Sequence, residues 1–332
     1  MLRELGGVLC EVILELRSGA WRLVSYDVTE TRRHHGKRII FCRVAYRDEA
    51  SPRVRHAELV VKFYKGDRGG LGHEALRRLW AAGFCAPAKY RVPHPYGYSP
   101  EGAVQVQARV PGVPWADLLH GDEPAVAAAS ARAASWLLRL QRSAVPGEVR
   151  DTTGEVARTR RSAQALVSAY PEWSSRLAPL VERLVALLLR GEGRLVPSHG
   201  DFHPKNVLLT PGFTSVIDFD LFALREPAHD VGYGIGYLLM RSASREGDVA
   251  PGAHAALALW QRYTRGGLGS WPRVAGHAAR TCLEILHYTL CLMRSARVEL
   301  LGVGAALMRR LLESDHPDTL ALLARRGPLL PS

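Results

Sequence analysis

Cysteine is sparse in this chain. Five occur in 332 residues, at Cys10, Cys42, Cys85, Cys282 and Cys291. Their number is odd, their spacing is wide and no Cys-x-x-Cys pair is present. That excludes a disulfide framework and fits reduced thiols in a cytoplasmic protein. No run of about 18 apolar residues appears, so no membrane span is expected. The apolar start, Met1 to Leu16, is interrupted by Glu4, Glu11 and Glu15 and makes a poor signal peptide. Zinc-finger spacing and an RNA-binding aromatic signature are both missing. The net charge of +12 therefore does not mark a nucleic-acid binder.

Hydrophobic residues make up 47% of the chain, enough for a sizeable core, and the length suits two lobes. The positive charge is uneven: residues 1–110 carry 19 Lys and Arg against 11 Asp and Glu. A solvated basic surface and an affinity for anions, nucleotide phosphates included, both fit that excess.

The most informative stretch runs from Ser198 to Asp220. Two short apolar runs, Val207-Leu208-Leu209 and Ser215-Val216-Ile217, flank Thr210-Pro211-Gly212, which reads as the turn of a hairpin. Asp201 and Asn206 stand at its entrance and Asp218 at its exit. Phosphoryl transfer with magnesium needs such a set: a carboxylate that orients the acceptor hydroxyl and hard oxygen ligands for the metal. His199 and His203 are four apart, the spacing of a helical zinc pair, but Gly200 and Pro204 disfavour a helix there. The two histidines are read as fixing the loop by hydrogen bonding.

His199-Gly200-Asp201-Phe202-His203-Pro204-Lys205-Asn206 followed by Ile217-Asp218-Phe219 resembles the aminoglycoside phosphotransferase and choline kinase-like family, relatives of the protein kinases. The resemblance implies an α+β, protein kinase-like fold of two lobes. Residues 1–110 would form an antiparallel sheet with one helix, and residues 111–332 a helical lobe carrying the catalytic hairpin and the substrate site. It further implies Asp201 as the catalytic carboxylate and Asn206 and Asp218 as magnesium ligands. Asp230, in Pro227-Ala228-His229-Asp230, would brace the catalytic loop together with His199 and His203. Asp220 departs from the Asp-Phe-Gly of protein kinases and is placed among candidate substrate contacts, with metal ligation left open.

In the first half, strands are expected over 21–33, 39–46 and 57–64, with a turn at His34-His35-Gly36-Lys37. The kinase pattern Gly-x-Gly-x-x-Gly is absent from that turn. Its basic rim, Arg32, Arg33, Lys37 and Arg38, fits a solvated tip as well as a phosphate clamp. Lys62 lies between apolar neighbours, where a charge is costly unless paired. By resemblance it contacts the α- and β-phosphates, with Glu74 on the following helix as its partner. A fourth strand over 90–98 and a fifth over 103–110 lead to a hinge at Gln107 and Arg109, where adenine would be read by backbone groups. ATP is the expected nucleotide, with GTP open.

In the second half, helices are expected over 125–142 and 177–190, with Pro179 in the first turn of the latter. Residues 151–170, rich in Arg, Ser and Thr, read as a mobile insertion. Helices over 252–265, 273–298 and 300–324 follow. On the middle one, Glu284, His287, Tyr288 and Cys291 share a face, and the first three are candidate substrate contacts.

The expected activity is ATP- and magnesium-dependent phosphorylation of a hydroxyl on a small molecule: an antibiotic, a sugar or an amino alcohol. Aminoglycosides are polycations, and the second half is not acid-rich, which favours a less cationic acceptor. No Ala-Pro-Glu segment follows Asp218, which argues against a protein kinase. The alternative is a catalytically silent nucleotide-binding module on the same fold.

Overall fold

The computed structural model describes residues 2–325 except 35, 49, 50, 52, 67 and 192. His35 of the basic turn therefore lies outside the described residues. The chain forms two compact units, Met1–Gly112 with Thr210–Phe222, and Val113–Leu209 with Ala223–Ser332.

The first unit is built on an antiparallel sheet. Strands β1 (Trp21–His34), β2 (Lys37–Asp48) and β3 (Val54–Phe63) form a meander. After β4 (Tyr90–Arg91), β5 (Pro95–Ser99) and β6 (Val104–Ala108) complete the sheet in the order β1-β2-β3-β6-β5. The expected fourth strand is thus two pieces. The proline-flanked β5 takes the sheet edge, where a missing N–H is tolerated. The two-residue β4 instead pairs in parallel with Thr214 and Ser215.

One face of the sheet is covered by α1 (Leu2–Val12), followed by the single turn α2 (Leu14–Arg17). Leu5, Leu9, Val12 and Ile13 pack there with Val44, Leu59, Val61 and Val106. Each such side chain contributes roughly 1.5–3 kcal/mol on full burial. The sequence reading assigned one helix to this region; α1 is a second, seated by its i, i+4 pair Leu5 and Leu9. The expected helix is α3 (Arg68–Ala81). It begins earlier than expected, so the glycine run 69–72 lies inside it rather than in the preceding loop.

The second unit is helical. It contains α4 (Trp115–Leu118), α5 (Glu123–Gln141), α6 (Thr152–Ala169), α7 (Ser174–Arg190), α8 (Ala228–Glu246), α9 (Ala250–Thr264) and α10 (Trp271–Leu286). It ends with α11 (Leu300–Glu313) and α12 (Asp318–Arg325). The stretch read as a mobile insertion is α6. Asp151 caps it by accepting from the Thr153 N–H, and Val156, Thr159, Ala163 and Leu166 form its buried stripe. Helix α7 starts at Ser174, so Pro179 sits inside it rather than in its first turn. The long helix expected over 273–298 ends at Leu286 and passes into a π-helical turn, His287–Leu292. The last expected helix is broken between Glu313 and Asp318, where Pro317 lacks the N–H needed to continue it.

Candidate active site

In the first unit, two lysines converge on two aspartates. Lys62, near the end of β3, is only 5% exposed. Its Nζ lies 2.8 Å from Asp218 Oδ1 and 3.7 Å from Asp220 Oδ1. Burial alone would lower the Lys62 pKa, but the two carboxylates outweigh it and hold the value above normal. Lys37 Nζ lies 2.6 Å from Asp220 Oδ2 and 3.3 Å from Asp218 Oδ1. The Tyr64 hydroxyl is 2.9 Å from Asp220 Oδ1.

Asp218 holds φ +70°, a left-handed conformation that non-glycine residues adopt at a cost and that recurs at functional sites. Helix α3 lies close to this segment: a Cβ on Gly72 would meet Asp220 Oδ1 at 3.0 Å, and one on Gly69 would meet the Tyr64 ring at 2.6 Å. The glycine run lets the helix approach.

In the second unit, the loop after the strand Val196–Ser198 carries Asp201. Asp230, buried in the first turn of α8, spans the loop backbone. Its Oδ2 accepts from the His199 N–H at 2.6 Å and its Oδ1 from the Gly200 N–H at 2.9 Å. His199 Nδ1 accepts the Asp201 N–H at 3.2 Å, and His203 Nδ1 accepts the Lys205 N–H at 3.2 Å. Those bonds leave His203 Nε2 to carry the ring proton, 3.5 Å from Asp201 Oδ2. Asn206 Nδ2 donates to the Asp201 carbonyl at 3.0 Å, so its Oδ1 remains the acceptor of that amide.

Burial would raise the Asp201 carboxyl, but hydrogen bonds from His203 and Tyr233 bring it down to about 2. Asp201 is therefore ionised at neutral pH. Burial and the Asp201 charge in turn push the Tyr233 hydroxyl well up, so it remains a donor. His203 stacks on Tyr237, ring centroids 4.7 Å apart.

The sequence matches the model of the phosphotransferase enzyme family (APH) over residues 45–277, more than half of its length. The chain belongs to that family. It is a small-molecule kinase by family membership. No curated protein matches the sequence. Among solved structures it is similar to a choline/ethanolamine kinase family protein from Mesorhizobium loti, with 16% identity and a TM-score of 0.60 over 98% of this chain and 99% of that one. It is also similar to aminoglycoside phosphotransferase APH(4)-Ia, at 15% identity and a TM-score of 0.60 over 95% and 100%. Spectinomycin phosphotransferase APH(9)-Ia, solved with ADP and spectinomycin, aligns at 12% identity with a TM-score of 0.53 over 97% and 98%. At these identities the likeness concerns the fold, which is the α+β kinase-like one.

Within this family frame, several expected residues sit elsewhere. Glu74 does not meet Lys62: it pairs with Arg77 at 2.8 Å and Arg78 at 2.6 Å on its own helix. The carboxylates of Asp218 and Asp220 fill its expected role. Asp220 joins the lysines instead of the substrate candidates. Arg109 pairs with Glu58 at 3.2 Å on the exposed side of the sheet, and its N–H donates to the Glu58 carbonyl. The Gln107 side chain is buried. The π-helical turn ends the α-helical face expected over Glu284, His287, Tyr288 and Cys291. His287 Nδ1 lies 3.2 Å from Ser162 Oγ, while Glu284 and Tyr288 add to the field at Tyr233 and Tyr237 respectively.

Tyr233 and Tyr237 escaped the sequence reading. Their spacing from Asp230, three and seven residues along one helix, was the available signal. Lys37 was grouped with its basic neighbours, but Arg32 pairs with Glu30 and Arg38 lies over the Phe63 ring. A buried cluster of Glu155, Glu226 and His277 has the spacing of a metal site. The guanidinium groups of Arg273 on Glu226 and Arg280 on Glu155 already supply its positive charge. Among the described residues, no helix is long and apolar enough to cross a membrane.

Proposed function

We propose that this kinase transfers the γ-phosphoryl group of ATP to a hydroxyl of a small molecule, with magnesium, and that Asp201 is its catalytic carboxylate. The observation that carries the reading is the buried ammonium of Lys62 lying 2.8 Å from Asp218, because a nucleotide-phosphate ligand and a metal-binding carboxylate need such proximity. The donor chemistry fits magnesium. Asp218 and Asp220 offer hard carboxylate oxygens in a spot that already attracts two ammonium groups, and Asn206 supplies an amide oxygen. Asp218 and Asn206 would hold the ion, which when bound neutralises charge on the phosphate oxygens.

Lys62 binds the α- and β-phosphates. Val110, just beyond β6, has a backbone N–H with no intramolecular partner among the described residues and is the proposed hinge donor to the base. Asp201 accepts a hydrogen bond from the acceptor hydroxyl and orients its oxygen toward the phosphorus. With a pKa of about 2 it is a weak base. It takes the proton late, once bonding to phosphorus has made that proton acidic. Tyr233 and His203 keep its carboxylate oriented. The acceptor is proposed to be a weakly cationic hydroxylated molecule, since Tyr233 bonds Asp201 and the charges of Arg241 and Arg245 act on Tyr237, which stacks on His203.

The test is calorimetry with Mg·ATP followed by a phosphate-transfer screen over hydroxylated antibiotics, sugars and amino alcohols. Nucleotide binding with turnover of one class is the expected result. Tight nucleotide binding without transfer to any class would favour the silent-module reading.

A further inference from the structure

The mechanism above uses one lysine, yet two contact the carboxylates. Strand alternation explains how. Ile39 of β2 stands opposite Lys62 of β3, and Arg38 opposite Phe63. Lys37 thus shares the face of Ile39 and Lys62, while Arg38 takes the other face over the Phe63 ring. The two lysines differ in anchorage. Lys62 follows three buried residues, Leu59, Val60 and Val61. Lys37 opens its strand directly after Gly36, which bends the chain at φ +80°, and its side chain is 17% exposed. Its ammonium bridges Asp218 and Asp220, the donor set that would receive a divalent cation.

A divalent cation and an ammonium cannot share that seat without strong repulsion. An anionic polyphosphate arriving with the metal offers the displaced ammonium a new partner. We infer that Lys37 is a second nucleotide-phosphate ligand, stored in the nucleotide-free protein as the counter-ion of Asp218 and Asp220. In this role it supplies a phosphate contact from a side chain, beside a turn whose single glycine, Gly36, is the one residue there without a Cβ to keep backbone and phosphate apart. The inference rests on the nucleotide reading above.

Two measurements on full-length Lys37→Gln test it. Manganese uptake by the nucleotide-free protein, followed by electron paramagnetic resonance, should tighten several-fold because a competing cation is gone. Calorimetry should show Mg·ATP binding weakened about tenfold, as for loss of one charge-assisted hydrogen bond, with adenosine binding unchanged. Lys37→Arg should retain most of the ATP affinity. If Lys37→Gln binds Mg·ATP as the wild type does, or takes up manganese no more tightly, Lys37 is a surface counter-ion and the inference falls alone. A wild-type protein that binds neither ATP nor adenosine overturns it together with the proposed function.

Discussion

The carboxylates of the two units are stabilised in opposite ways. Asp218 and Asp220 are balanced by lysine ammonium groups, Lys62 on a buried stem and Lys37 on a partly exposed one. Asp201 and Asp230 are held by hydrogen-bond donors fixed to backbone or ring: the His199 and Gly200 N–H groups, the His203 imidazole and the Tyr233 hydroxyl. In the proposed function, a displaceable charge such as that of Lys37 suits a place where a metal and a polyphosphate enter and leave. Fixed donors suit a group whose direction must not change during transfer, since misplacement of about 1 Å can cost about a hundredfold in rate.

Breaking the fixed side should have the largest effect. Asp201→Asn keeps the shape but loses the charge and the proton-accepting oxygen. Turnover should fall about 10²–10⁴-fold while Mg·ATP affinity stays near wild type. Asp218→Asn should lose both turnover and metal affinity. Near-normal turnover by Asp201→Asn on an identified acceptor would remove Asp201 from the chemistry.

Asp230→Ala probes the same side through stability. It strands one buried and one partly buried N–H donor, of His199 and Gly200, and the cost should be roughly 3 kcal/mol in urea unfolding. A pH series sharpens the contrast. The folded-state values of Asp201, Asp230 and Glu226 all lie below their unfolded values. Their stabilisation is complete above about pH 5 and is lost progressively as pH falls through 4 and below. Lys62 is raised, so its contribution persists until strongly alkaline pH. A urea midpoint unchanged between pH 7 and 3 would contradict this account.

The smallest effect belongs to Glu74→Ala. Glu74 makes exposed pairs within its own helix, worth about 0.3–0.5 kcal/mol, so nucleotide affinity should not change. A marked loss in calorimetry would mean that Glu74 turns to Lys62 when nucleotide binds.

Local patterns in the sequence carried much of this. The strand runs of β2 and β3 and the stripe of α7 were legible because an apolar run bounded by polar residues, or an amphipathic period, is written in neighbouring residues themselves. The cap at Asp151 was present in the sequence but was outweighed by the polar composition of 151–170. The π-helical turn at His287 left no signal, since its residues read as ordinary helix.

The sequence by itself determined the chemistry: a loop carboxylate, an amide four residues before a turn, a second carboxylate after it and a strand lysine, which together resemble one family. Tertiary structure alone decided the pairings. Lys62 and Asp218 are 156 residues apart and Lys37 and Asp218 are 181 apart. The segment 210–222 belongs to the sheet unit through parallel pairing of Thr214 and Ser215 with Tyr90 and Arg91. Register between distant strands depends on which faces are buried together. A local pattern shows that a face exists, while packing chooses its partner.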